Sequence, residues 1–155
     1  PTLEMLSADY DIIMFKHCYP VGDILEDTGI PDIDSEEKRL ENYKLQYNAL
    51  KEKMHEFPGQ KFIVWTPAAR TREATTEERA LRTRQFYEWI VNEWDEEGDN
   101  IFLWDFYQFE TEGELYLKDE YAYGADDSHP NKEFAGKIAP LFGQFIIDRI
   151  EGKAN

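Results

Sequence analysis

Lys61-Phe62-Ile63-Val64-Trp65-Thr66, KFIVWT, is the stretch on which the fold turns. Its apolar residues are consecutive, rich in β-branched and aromatic side chains, and too few to lay down the stripe of a helix. Such a segment belongs to a strand covered on both faces, as in a parallel sheet flanked by helices. Two other stretches repeat the pattern: Tyr10 to Phe15 (YDIIMF) and Asn100 to Phe106 (NIFLWDF). Between the first two, Leu40, Tyr43, Tyr47, Leu50, Met54 and Phe57 recur at steps of three and four behind an Asp34-x-x-Glu37 cap. That run is a helix ended by Pro58-Gly59. Between the second two, a Thr75-x-x-Glu78 capping box introduces Ala80, Thr83, Tyr87, Val91 and Trp94 on one helical face, up to Gly98. A last helix carries Phe134, Ile138, Leu141, Phe142, Phe145 and Ile146 and stops near Gly152.

The order β-α-β-α-β-loop-α implies right-handed crossovers and a parallel sheet with helices on both faces, an α/β domain. The 155 residues suffice for one such domain. Three strands are few for three long helices, and the strand at 10–15 is left with an open, strongly apolar edge. The sequence therefore predicts a partner along that edge, either N-terminal strands outside the given sequence or another chain.

Composition narrows the classes of function. Thirty-three Asp and Glu against seventeen Lys and Arg give a formal charge of −16, which disfavours nucleic acid and anionic lipid as partners. No apolar run approaches the roughly 18 residues of a membrane span, so no transmembrane segment is expected. Cys18 is the single cysteine, which excludes an internal disulfide and any two-cysteine zinc site. No metal or cofactor is expected. Asp23, Glu26, Asp27, Asp32 and Asp34 lack the spacing of a calcium-binding loop and read as a solvated run. Two long polar stretches, 20–35 and 107–124, directly follow proposed strands, where α/β proteins place binding surfaces.

The chemistry concentrates at Asp126-Asp127-Ser128-His129, followed by Pro130-Asn131 and the last helix. A carboxylate three residues before a histidine can accept its ring N–H and leave the other nitrogen free as a general base. Taken alone, the segment also reads as an Asx-type turn that caps the helix. Its place, between a long post-strand loop and a helix bearing Gly136 and Ala139, would hang a base over the C-terminal edge of the sheet.

With these residues the chain resembles, over nearly its whole length, the SGNH (GDSL-like) hydrolases, esterases and acylhydrolases on a flavodoxin-like three-layer α/β/α fold. The last block of that family is Asp-x-x-His, often D-G-x-H-P-N; Asp126 and His129 occupy its acid and base positions, and Asp127 stands where Gly is common. Val64-Trp65-Thr66-Pro67 resembles the family's V-x-T-P-P strand end. The third block, G-x-N-D, falls on Lys16-His17-Cys18-Tyr19, with Cys18 in place of the oxyanion-hole Asn and Lys16 in place of Gly. A thiol is a weak donor, so the resemblance implies that Lys16, His17 or the backbone stabilises the oxyanion. Read without the family, Cys18 is a small buried hydrophobe at a strand end, while Lys16 and His17 are solvated loop residues.

No Gly-Asp-Ser occurs, and none of the three serines, Ser7, Ser35 and Ser128, fits the role of nucleophile. The resemblance thus implies a serine esterase acting on a short acyl or acetyl ester of a carbohydrate or other polar alcohol. Its nucleophile and first two strands would lie in upstream sequence, leaving the present chain inactive by itself. A non-catalytic binding or assembly module is the alternative. Elsewhere, Arg70 and Arg72 read as offsetting nearby carboxylates, and His55 as an imidazole favoured by a helix C-terminus. Tyr107, Tyr116, Tyr121 and Tyr123 read as packing residues.

Overall fold

The computed structural model describes residues 2–152. The three apolar stretches form β1 (Ile12–Phe15), β2 (Lys61–Trp65) and β3 (Ile101–Trp104), a parallel sheet in the order β1-β2-β3. Ile12 is paired with Lys61, and Phe62 with Ile101. The strand period of two then sorts the side chains onto opposite faces. Ile13, Phe15, Phe62, Val64, Ile101 and Leu103 join one core with α2 (Leu40–His55) and α3 (Glu77–Trp89). Ile12, Ile63, Trp65 and Trp104 join the other with α5 (Lys132–Ile150). Both crossover helices lie on one face, as two successive connections of the same hand require. The α/β reading with helices on both sides of a parallel sheet therefore holds.

Helix boundaries depart from the expected caps in instructive ways. α2 begins after Arg39 without a side-chain cap. Asp34 and Glu37 lie instead in the preceding loop, where their backbone N–H groups donate to Asp32 Oδ1 (3.0 Å) and Ser35 Oγ (3.1 Å). Local turns have claimed the residues that the D-x-x-E pattern assigned to a helix. α3 is capped one residue later than expected, by Thr76, whose Oγ1 accepts from Arg79 N (3.4 Å). It continues into a π turn at Ile90–Trp94, closed by Asp95 N donating to Ile90 O (2.9 Å). Ala80, Thr83 and Trp94 are buried as expected, together with Phe86, Trp89 and Ile90; the wider turn breaks the 3.6-residue period and leaves Val91 only half-buried. On α5, Phe134, Ile138, Phe142, Phe145 and Ile146 pack inward as expected, whereas Leu141 is exposed.

Several short elements lie where the sequence carries no readable period. α1 (Thr2–Asp9) precedes the sheet, and α4 (Phe106–Thr111) follows β3 directly. The stretch read as a long loop at 107–124 closes with β4 (Ala122–Gly124), which pairs antiparallel with β5 (Asp127–Pro130). The loop at 20–35 stays irregular after a 3₁₀ turn at Tyr19–Gly22. Among the described residues, β1 pairs with β2 alone, and Met14 on this apolar strand is 46 % exposed. No described helix is long and apolar enough to cross a membrane.

Candidate functional site

Within the motif, Asp127, Ser128 and His129 lie on one strand of a hairpin and Asp126 in the turn before it, so the four residues do not form one tight loop. On a strand, residues i and i+2 share a face, which puts Asp127 and His129 side by side and turns Ser128 the other way. Asp127 Oδ1 accepts from His129 Nδ1 (2.6 Å) and from the His129 backbone N–H (3.0 Å). These two contacts, the backbone one first, hold the Asp127 carboxyl below the usual carboxylate range. Ser128 is buried, and its Oγ accepts from Thr71 N (3.0 Å). Asp126, the residue expected to orient the base, sits in the β4–β5 turn and makes no hydrogen bond to His129. The partner of His129 is thus the second aspartate of the pair. Neither aspartate caps α5: Asn131 does so, accepting from Phe134 N (2.9 Å). The Asn131 amide also donates to Glu120 O (2.7 Å) and Ala122 O (3.2 Å), locking the hairpin to the helix.

Nδ1 is engaged by Asp127, so Nε2 is the nitrogen left to act as a base. The imidazole is 58 % exposed and edge-packed on Tyr19, with ring centroids 4.7 Å apart. Tyr19 closes the segment Lys16-His17-Cys18-Tyr19, so the end of this segment meets the histidine. Of its other residues, Lys16 is exposed as a solvated loop residue should be, while His17 and Cys18 are placed differently from the reading made without the family. His17 leaves the solvent and packs against Phe15, Tyr43 and Tyr47, its Nδ1 3.3 Å from the Tyr47 hydroxyl. That burial lowers its pKa. Cys18 is exposed rather than buried. Lys16 is exposed too, with its Nζ 4.4 Å from the Phe106 ring centroid and 4.9 Å from that of Trp65. A short strand that ends at Phe15 cannot keep both neighbours inside: His17 turns into the α2 core and Cys18 turns out.

Arg70 pairs with Asp23 Oδ1 (2.9 Å), offsetting a carboxylate as expected, and Arg79 pairs with Asp23 Oδ2 (2.7 Å), whereas the Arg72 guanidinium lies over the Tyr116 ring, 4.4 Å from its centroid. The Arg70 guanidinium also lies over the Tyr19 ring, 5.8 Å from its centroid. The expected packing role suits Tyr107, which is buried, and Tyr121, which stacks on Phe134 at 4.5 Å; Tyr123 is exposed. Beside these residues, Lys16, Trp65, Phe106, Pro130, Phe134 and Phe142 line an apolar cavity of about 220 Å³. The residue that sequence reasoning missed is Glu110. It is fully buried on α4, accepts from Ala69 N (2.7 Å), and thereby holds the segment after β2. Burial raises its pKa to about 8 against the opposing pull of the Ala69 N–H and the Lys16 charge. Only a charge set among the aromatic residues of the short stretch Phe106–Thr111 could have signalled it.

No protein-family model, curated protein or solved structure matches this chain.

Chemically, the site offers an oriented imidazole, a nearby cation and an apolar cavity. Each serine is engaged elsewhere. The Ser7 hydroxyl donates to Leu3 O (2.6 Å), Ser35 Oγ accepts from Glu37 N, and Ser128 faces Thr71. Among the described residues the His129 imidazole has no serine partner.

Proposed function

We propose that this chain is the base-bearing portion of an SGNH-type serine ester hydrolase acting on a short acyl or acetyl ester of a carbohydrate or other polar alcohol. The observation that carries this reading is the Asp127–His129 pair, held at 2.6 Å beside the segment that follows β1. In it, His129 Nε2 takes the proton of a serine hydroxyl as that hydroxyl attacks the ester carbonyl, and Asp127 stabilises the imidazolium that forms. Lys16 or a backbone N–H of residues 16–19 faces the developing oxyanion. The serine comes from sequence upstream, carried by a strand that pairs with the open edge of β1. That edge supports the proposal, because a parallel strand this apolar is normally covered.

A non-catalytic binding or assembly module is the second reading. The burial of His17 and the absence of a side-chain amide at Cys18 favour it, since they weaken the third block as an oxyanion hole. Translating the DNA upstream of Pro1 and assaying the natural gene product with p-nitrophenyl acetate separates the two. A Gly-Asp-Ser block, and hydrolysis that falls in His129→Ala, support the enzyme. Equal rates in wild type and His129→Ala remove the proposed base.

A further inference from the structure

At the opposite end of the sheet from His129, the last turn of α2 meets the loop that enters β3. Three side chains converge there: His55 from α2, and Glu96 and Asp99 from the loop. One ligand atom from each lies within 4.8 Å of the other two. We infer that His55, Glu96 and Asp99 bind a divalent transition-metal ion of the zinc class.

Two of the three groups are already set for it. Asp99 has a side chain only 10 % exposed, and its Oδ1 is fixed by the backbone N–H of Ile101 at 2.8 Å. Its other oxygen, Oδ2, stands 2.8 Å from His55 Nε2. An ion on Nε2 would displace the proton shared by this pair, leaving the imidazole neutral and its ring already aimed.

Glu96 is the movable arm. Its side chain is 61 % exposed and held only by Lys51 at 3.2 Å, an exposed ion pair that is easily given up. Bonds of about 2.0–2.2 Å to nitrogen and carboxylate oxygen need ligand atoms somewhat closer than the widest gap here, a change that rotation of Glu96 supplies. The same three residues, with Pro58, Gly98 and Asn100, line an open cavity of about 490 Å³, leaving room for water to complete the coordination.

The donor set selects the metal. One imidazole with two carboxylates suits zinc and its neighbours, whereas magnesium and calcium prefer oxygen alone. The single cysteine excludes a two-cysteine site, and the fold assembles this cysteine-free one from segments remote in sequence. Bound there, the ion would clamp the end of α2 to the β3 entrance. His55, which sequence alone placed at a helix end for its dipole, thus has a specific partner in Asp99.

Thermal melts of chelator-treated protein test the site. Zn²⁺ is expected to raise Tm saturably while Mg²⁺ at the same concentration does not, and Co²⁺ is expected to give a visible d–d absorption band. His55→Gln, a change at an exposed position, should weaken Zn²⁺ binding by at least about tenfold and abolish the Co²⁺ band. Cys18→Ser with His129→Ala should change neither response. Absence of a Zn²⁺ shift, a shift undiminished in His55→Gln, or one lost instead in the Cys18/His129 variant would overturn the site. None of these readouts depends on ester hydrolysis.

Discussion

Tyr19 meets His129 edge-on, their ring centroids 4.7 Å apart and their planes at 87°. The tyrosine also meets Arg70, whose guanidinium lies over the ring, 5.8 Å from its centroid. Three segments thereby meet at one aromatic ring, and the exposed imidazole gains a wall it could not obtain from its own hairpin. An aromatic pair of this geometry contributes about 0.5–1.5 kcal/mol beyond area burial. If the natural gene product is the proposed hydrolase, Tyr19→Ala should therefore lower its kcat about tenfold through loosened positioning, with a smaller effect on KM. Tyr19→Phe should retain activity. Loss in the Phe variant as well would assign the role to the hydroxyl.

The two aspartates make a sharper test. Asp127 shares a strand face with His129, and Asp126 occupies the turn. Asp127→Asn in the natural gene product should cost about 10² or more in kcat, because an amide no longer stabilises the imidazolium. Asp126→Asn should stay within about twofold. The reverse ranking in the same assay would return the acid role to the three-residue spacing.

Glu110 predicts a pH dependence of stability. Its carboxyl titrates near 8 in the folded state, against an ordinary value of 4.5. Between those values the unfolded chain releases the proton that the native state keeps. Stability from this group is thus fully present below pH 4.5 and is lost as pH rises toward 8. Glu110→Gln can keep the bond from Ala69 N while removing the titration. Its Tm should vary less than that of wild type across this window and exceed it at pH 8. Identical pH profiles in the two proteins would exclude a buried, proton-retaining Glu110.

What the sequence made legible follows from how each signal arises. KFIVWT is apolar on both faces because β2 has a neighbour on each side and a helical layer above and below, so burial alone writes the strand. The α5 stripe of Phe134, Ile138, Phe142 and Phe145 is likewise readable, since nineteen residues give the helical period room to repeat. α4 has only six residues, and β4 and β5 have three and four, too short for any period to stand out. Within the site, the histidine was legible and its partner was not. Which aspartate it meets depends on whether the backbone is a turn or a strand there, and that is decided by pairing with Ala122–Gly124. The His17 placement was hidden for a similar reason: the pocket that receives it is built by Phe15, Tyr43 and Tyr47, two of them from a helix remote in sequence.

The open edge of β1 gives the last prediction. By strand period, Met14 shares a face with Ile12, which packs toward α5, yet Met14 itself is 46 % exposed. A lysine at that position has water to point into. Met14→Lys in the present chain should change unfolding free energy by no more than about 0.5 kcal/mol, and it should reduce self-association through the apolar edge, read by light scattering. The outcome differs if an upstream strand and its helix cover this face in the natural gene product. The introduced ammonium would then be an unpaired buried charge, and the same substitution should destabilise the longer protein by about 3 kcal/mol or more. Denaturation of the two lengths side by side reads the difference directly. An equally small change in both would mean that nothing covers β1, and the proposed upstream source of the nucleophile would lose its structural support.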